Sequence, residues 1–197
     1  MSMPSAAALL RHQLRSSWLN ARRALVGLND DEYFWEPVSP CWSVRRRDPS
    51  VRGWGTGDHV CEDAWPPPDP LPATTIAWRV VHLAAWTDVY RGYAFEGTRP
   101  DLNEAEVPGT AAEGVAWLTR AQDDFLEAVD GVPDDEIFDP RPGHWGESVP
   151  LAGLITTMLT EHVHHLAEVG ALRDLKRGHA ATLPPASMPN PDWWERS

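Results

Sequence analysis

The sequence of 197 residues predicts an all-α fold, a four-helix bundle formed by a single domain over residues 1–197. Three observations lead to this prediction. Four segments place apolar residues at steps of three and four, which is the spacing of one face of an α-helix. No segment shows the alternation of apolar and polar residues that is typical of strands, and no internal repeat is visible. The length fits one domain.

The first two helices are predicted over about residues 5–28 and 74–95. The first has an apolar stripe formed by Leu10, Leu14, Trp18, Ala21, Leu25 and Leu28. The second begins near Thr74, whose hydroxyl is a suitable N-cap, and has a wide apolar face that suits a bundle core. His82 lies on one of the inward lines of this second helix.

The third helix is predicted over about residues 110–129, and the fourth opens around Ser148 and continues to Leu175. Ser148 provides a hydroxyl cap and Pro150 an early proline, both typical of helix starts. The stripe of the fourth helix consists of Leu151, Leu154, Ile155, Met158, Glu161, His165, Val169 and Leu172.

A long connection between the first two helices, residues 35–73, combines eight prolines with four tryptophans. Proline disfavours regular structure, whereas a disordered linker rarely carries so many indoles. We therefore predict an ordered loop that packs Trp35, Trp42, Trp54 and Trp65 onto the domain and covers the open end of the bundle. A second proline-rich stretch, residues 177–197, is predicted as an extended C-terminal tail.

The charge balance excludes several classes of protein. The chain has 17 Lys+Arg and 29 Asp+Glu, a formal net charge of −12, and this argues against binding to nucleic acid. No apolar run approaches the roughly 18 residues of a membrane helix, and no secretory signal is visible. Two cysteines, Cys41 and Cys61, are too few for a disulfide scaffold. We expect a soluble, cytoplasmic protein.

Glu161 and His165 interrupt the apolar stripe of the fourth helix one turn apart, so their side chains share a face. A carboxylate directed at a core must be paired, protonated or bound to a cation. With His82 they form a set of two histidines and one carboxylate that could hold a divalent metal. Three protein ligands with an open position are typical of catalytic zinc sites, although Ni²⁺, Fe²⁺ or Mn²⁺ suit the same ligands.

Other interpretations of these polar residues stay open at this point. Glu161 could pair with Arg79, or the fourth helix could be rotated so that His162 or His164 faces inward. The clustered histidines could form a surface patch, and the inward residues could form a buried hydrogen-bond network without metal. His12 lies off the stripe of the first helix, and we expect it to face solvent.

Four further features offer weaker candidates. Cys41 lacks the signature of a nucleophile with a base, and its position suggests a packed loop residue. Residues 45–47 form a run of three arginines, which we interpret as a solvated turn. Trp42 and Trp86 could wall a pocket, and the loop residues His59 and His144 could approach the site only if their loops fold over it.

Two helical segments resemble motifs of a known family. Residues 75–84 are similar to the second-helix motif of the DinB-like (YfiT-like) superfamily, and residues 161–169 to its fourth-helix motif, which residues 172–175 extend. The trio at residues 41–43, Cys-Trp-Ser, is similar to an actinobacterial branch of that family. The resemblance extends from about residue 8 to residue 176.

This resemblance implies a four-helix bundle whose metal is held by His82, Glu161 and His165. Many members of the superfamily have histidine at the position of Glu161, the second of these three ligands. Glu161 matches the branch that resembles mycothiol-dependent maleylpyruvate isomerase, in which a His/Glu/His set binds zinc. The implied activity is a thiol S-transferase or isomerase that uses a low-molecular-weight thiol such as mycothiol and a small electrophilic substrate, in a homodimer. The alternative is a non-catalytic metal-binding or stress-related helical module.

Overall fold

A computed structural model describes residues 4–144 and 146–178 of the chain. The described part is mostly helical, as predicted. Its four long helices are α1 (Ala6–Ala21), α3 (Ile76–Arg91), α4 (Ala111–Asp130) and α5 (Leu151–Arg177), and one short helix, α2 (Asp30–Tyr33), follows α1. The predicted C-terminal tail lies outside the described residues from residue 179 onward.

The connection between α2 and α3 contains strands, which corrects the all-α prediction. They are β1 (Cys41–Trp42), β2 (Val44–Arg46), β3 (Gly53–Trp54), β4 (His59–Glu62) and β5 (Ala73–Thr74). Strand β4 pairs antiparallel with both β2 and β3, and β1 pairs parallel with β5. The prolines of this connection all lie outside the five strands, so none removes a donor from a strand ladder.

The side chains of this connection also depart from the predictions in two places. Trp54 is buried and Trp35 and Trp42 are half-buried, but Trp65 is 85% exposed. Arg45 and Arg46 are part of β2 and Arg47 directly follows it, so the arginine run does not form the predicted turn. Arg45 forms ion pairs with Glu36 and Glu62, and Arg47 donates hydrogen bonds to backbone carbonyls of the β3–β4 turn.

Three helix boundaries differ locally from the predicted ones. Helix α1 ends at Ala21 and continues as a 3₁₀ turn, Arg22–Leu25. Thr75, not Thr74, caps α3, because its hydroxyl accepts a hydrogen bond from the Trp78 N–H at 3.2 Å. After α3 a π-helical turn, Gly92–Glu96, leads to a glycine at residue 97 in the left-handed conformation.

The predicted hydroxyl cap at the start of the fourth helix is wrong. Ser148–Pro150 forms strand β7, which pairs antiparallel with strand β6, Pro140–Pro142. The backbone of these residues is extended for the hairpin, so α5 begins only at Leu151. The hairpin brings the β6–β7 turn, with His144, toward α3.

The core lies between the four long helices. Helix α3 packs against α4 and α5, and α1 packs against α5 and α4. Buried residues on α3 surround most of its circumference, as expected for a helix with neighbours on several sides. The largest side chains of the core include Leu14, Ile76, Leu83, Leu118, Phe125, Ile155, Met158 and Leu166. No helix of the described part has the length and apolar character needed to cross a membrane.

A buried ion pair fixes the C-terminal half of α5. The side chains of Arg173 and Glu32 are only 2% and 5% exposed, and Arg173 Nη2 lies 2.9 Å from a Glu32 carboxylate oxygen. Arg173 Nη1 also donates to the carbonyl of Val26 at 2.9 Å. Burial alone would raise the pKa of Glu32, but hydrogen bonds from Arg177 and Arg173 outweigh it and lower that pKa.

We predict that Arg173→Met destabilises the protein by about 3–5 kcal/mol, because it removes one partner of a buried ion pair. Chemical denaturation measures this change in the free energy of unfolding. The matched control is Lys176→Met on the same helix, since Lys176 pairs with the exposed Asp31 and its loss should cost less than about 1 kcal/mol. Equal losses in the two variants would contradict the importance of the buried pair.

Candidate metal centre

Helices α3 and α5 place the three predicted ligands at one point of their interface. His82 projects from α3, and Glu161 and His165 project from α5 one turn apart. The buried line of α5 runs through His162 and His165, so Glu161 lies at its edge and not on it. The exposed fractions of the side chains are 21% for His82, 39% for Glu161 and 10% for His165.

The donor atoms of this triad face one another. Glu161 Oε2 lies 3.3 Å from His165 Nε2 and 4.0 Å from His82 Nε2. The two imidazole rings are 5.0 Å apart between centroids and meet edge to face. One ligand atom from each of the three residues lies within 4.8 Å of the others.

The electrostatics of the triad suit a cation. Burial, reinforced by the neighbouring His165, lowers the pKa of His82 to about 3, so its ring is neutral near pH 7 and keeps a free lone pair. A hydrogen bond from His165 lowers the pKa of Glu161 against the opposing effect of burial. The carboxylate is therefore ionised at neutral pH and supplies the negative charge of the donor set.

The donor set fits a divalent metal. Four-coordinate ligands at roughly 2.0–2.2 Å from zinc lie roughly 3.3–3.6 Å from one another. The spacing between Glu161 and His165 already meets this value, and the 4.0 Å spacing to His82 closes with a side-chain movement of less than about 1 Å. Two nitrogens and one oxygen suit zinc and other first-row divalent metals.

The second nitrogen of His165 has two charged neighbours that the sequence analysis did not place there. His165 Nδ1 lies 3.0 Å from Arg79 Nη1 and 3.4 Å from Glu168 Oε2. Arg79 also forms an ion pair with Glu168. The alternative in which Arg79 pairs with Glu161 is therefore not what the structure shows. Burial lowers the pKa of Arg79 to about 10, which leaves it charged near pH 7.

Aromatic side chains flank the triad on two sides. Trp78 stacks on the His82 ring at 4.5 Å, and Trp42 stacks on Trp78 at 6.2 Å. On the other side Trp86 lies 6.2 Å from His82 and contacts His144, whose loop does fold toward the site. Beside them is a cavity of about 360 Å³, lined in part by Trp86, Tyr93, Arg99 and His144.

The remaining described histidines are not members of the triad, although the ring of His164 stacks on that of His165 at 4.8 Å between centroids. His162 is buried in the core, where its Nε2 lies 3.2 Å from the Thr87 hydroxyl, and His164 is exposed. His12 interacts with Ser16 on its own helix, and His59 packs against the backbone of residue 109. His162 does face inward, as the rotated-helix alternative expected, and His164 lies at the surface, as the patch alternative expected. Neither position moves Glu161 or His165 out of the triad.

Cys41 is a packed residue of the connection, as its neighbours suggested. Its side chain is buried, and burial raises the pKa of the thiol to about 11. A thiol with this pKa is almost entirely protonated near pH 7 and is a poor nucleophile. Cys61 is fully buried as well, and neither cysteine forms a disulfide.

Comparison with known protein families identifies the relationship of the chain. Residues 13–169 match the family model of the DinB superfamily, a range that includes all three residues of the triad. No curated protein matches the chain. The match covers well over half of the sequence, and the mostly helical structure is consistent with it. The chain therefore belongs to the DinB superfamily.

Proposed function

We propose that the protein is a divalent-metal-dependent enzyme that transfers a low-molecular-weight thiol, of the mycothiol type, to a small electrophilic substrate. The observation that supports this most is the convergence of His82, Glu161 and His165 on one point at the α3–α5 interface. Three protein donors leave a coordination position for a substrate atom, as in catalytic and not structural zinc sites. We expect zinc as the metal, with Ni²⁺, Fe²⁺ or Mn²⁺ as possible substitutes.

Each residue of the triad has a definite task in this proposal. His82 and His165 supply nitrogen donors, and Glu161 supplies one negative charge, so a divalent cation keeps a net positive charge in the site. A bound divalent metal would supply Lewis acidity that favours the thiolate form of a thiol, which is the nucleophilic form. The stacked Trp78 restricts the rotation of the His82 ring and excludes water from that side.

The cavity beside Trp86 offers room for the second substrate. Its volume of about 360 Å³ suits a small molecule, and aromatic side chains form part of its wall. The exposed Arg99 and Asp101 both line the cavity, so it presents one positive and one negative charge. No triad residue lines the cavity, but Trp86 does, and its ring lies 6.2 Å from that of His82, so a small electrophile placed there would be one side chain away from the triad.

A second candidate function is that of a non-catalytic helical module. The observation that favours it is the network around His165, in which Glu161 and Arg79 already occupy both ring nitrogens. Such a network gives both ring nitrogens of His165 a partner without any metal. Metal binding and thiol turnover distinguish the two candidates.

We predict that the purified protein binds close to one zinc ion per chain, measured by elemental analysis after loading and removal of free metal. His165→Ala and His82→Ala should each weaken zinc binding by more than about 100-fold, because even outer-shell changes cost about 10–100-fold. The matched control is His164→Ala, an exposed neighbour on the same helix, which should keep the metal. Zinc-free wild-type protein, or equal losses in all three variants, would contradict the proposed site.

We also predict that the metal-loaded protein consumes a low-molecular-weight thiol in the presence of an electrophile. A screen of thiols and electrophiles, followed by thiol titration, measures this activity. Chelation and His165→Ala should both abolish it, and added zinc should restore it only in the chelated wild type. A protein that binds zinc and gains thermal stability from it, but turns over no thiol in the screen, would favour the non-catalytic module.

A further inference from the structure

The two charged neighbours of His165 Nδ1 make opposite demands on the ring. A guanidinium is a donor only, so Arg79 Nη1 at 3.0 Å requires a lone pair on Nδ1. An ionised carboxylate is an acceptor only, so Glu168 Oε2 at 3.4 Å requires a hydrogen on Nδ1. The ring can satisfy one of them at a time.

Each choice at Nδ1 determines what Nε2 can do. When Arg79 donates to Nδ1, the neutral ring carries its hydrogen on Nε2, which then donates to Glu161 at 3.3 Å and has no lone pair for a metal. When Nδ1 carries the single hydrogen of the neutral ring and donates to Glu168, Nε2 has a free lone pair directed at the triad.

We propose that Arg79 and Glu168 are opposing positioning residues for His165: Arg79 holds the metal-free tautomer and Glu168 holds the metal-binding one. The inference rests on the proposed metal site at His82, Glu161 and His165. Metal entry would then require the ring to give its Nε2 hydrogen to solvent and to take one from solvent at Nδ1. Arg79 would release Nδ1, and Glu168 would accept a hydrogen bond from the new Nδ1–H. Neither residue contacts the triad's donor atoms at Nε2 in this arrangement, so both act through the ring of His165.

The ion pair between Arg79 and Glu168 makes this exchange local. Arg79 contacts both Nδ1 and Glu168, so a small displacement of its guanidinium frees both of them. Arg79 also affects a second group of residues whose donor atoms are close enough to hold a metal: His164, His165 and Glu168. The positive charge of Arg79 already lies between two members of that group, so we interpret it as a guanidinium site and not as a second metal site.

The direct test is nitrogen-15 NMR of the histidine rings, which reports whether Nδ1 of His165 carries a hydrogen. The metal-free protein is measured above the titration range of histidine, with His165→Gln to assign the signals. We expect Nδ1 without hydrogen in the wild type and with hydrogen in Arg79→Met. The control is Arg91→Met, which removes the same charge from the same helix at a residue paired with Asp88 and Glu96. A bare Nδ1 in Arg79→Met, or a protonated one in the metal-free wild type, would overturn the proposal.

Zinc affinity, measured by competition with a chromogenic chelator, provides the second readout. We expect Arg79→Met to strengthen binding about tenfold, and Glu168→Leu to weaken it about 10–100-fold. Glu168→Gln keeps an acceptor oxygen but loses the charge, so it should retain more affinity than the leucine variant. Equal losses in the two Glu168 variants, with equal gains in Arg79→Met and Arg91→Met, would show that charge alone acts and would refute the tautomer mechanism.

The two readouts separate this inference from the proposed function. If zinc does not bind at all, the metal-dependent function fails, but the NMR of the metal-free variants still decides whether Arg79 sets the hydrogen position. If Arg79→Met does not fold, the comparison of metal-free and zinc-loaded wild type decides instead. There we expect Nδ1 to gain a hydrogen on zinc binding, and an unchanged Nδ1 would overturn the proposal.

Discussion

The contact between α3 and α5 is the constraint on which the candidate site depends. Helix α3 is apolar on most of its surface, so it must pack against several neighbours, and His82 lies on the one side that meets Glu161 and His165. A carboxylate between two imidazoles at a partly buried interface requires positive charge or hydrogen bonds. The structure supplies hydrogen bonds around His165, and the same donors suit a metal.

The surrounding elements hold this contact from three directions. The buried pair of Arg173 and Glu32 ties the C-terminal half of α5 to the short helix after α1, which sets the position of α5 along its axis. The strands of the long connection place Trp42 on Trp78, and Trp78 in turn covers His82. The β6–β7 hairpin brings His144 onto Trp86. The site is thus built on rigid helices, with loops limiting access to it.

The helices and the shared face of Glu161 and His165 could be predicted because both depend on local spacing, whereas the position of His82 opposite them depends on how α3 packs against α5. The apolar steps of three and four locate each helix, and the i, i+4 relation puts Glu161 and His165 on one face. The strands of residues 35–73 could not be predicted, because runs of two to four residues show no period and pair with distant partners. The contacts of Arg79 and Glu168 with His165 could not be predicted, because they depend on how α3 is rotated against α5. The sequence shows only that Arg79 lies three residues before His82 and Glu168 three residues after His165.

The central claim is that His82, Glu161 and His165 hold a metal that takes a thiol as a further ligand. X-ray absorption at the zinc edge of the loaded protein tests it most directly. We expect two imidazole ligands and one carboxylate at roughly 2.0–2.2 Å, and on addition of a low-molecular-weight thiol one new sulfur ligand at roughly 2.3 Å. A spectrum without imidazole ligands, or one that a thiol leaves unchanged, would contradict the account.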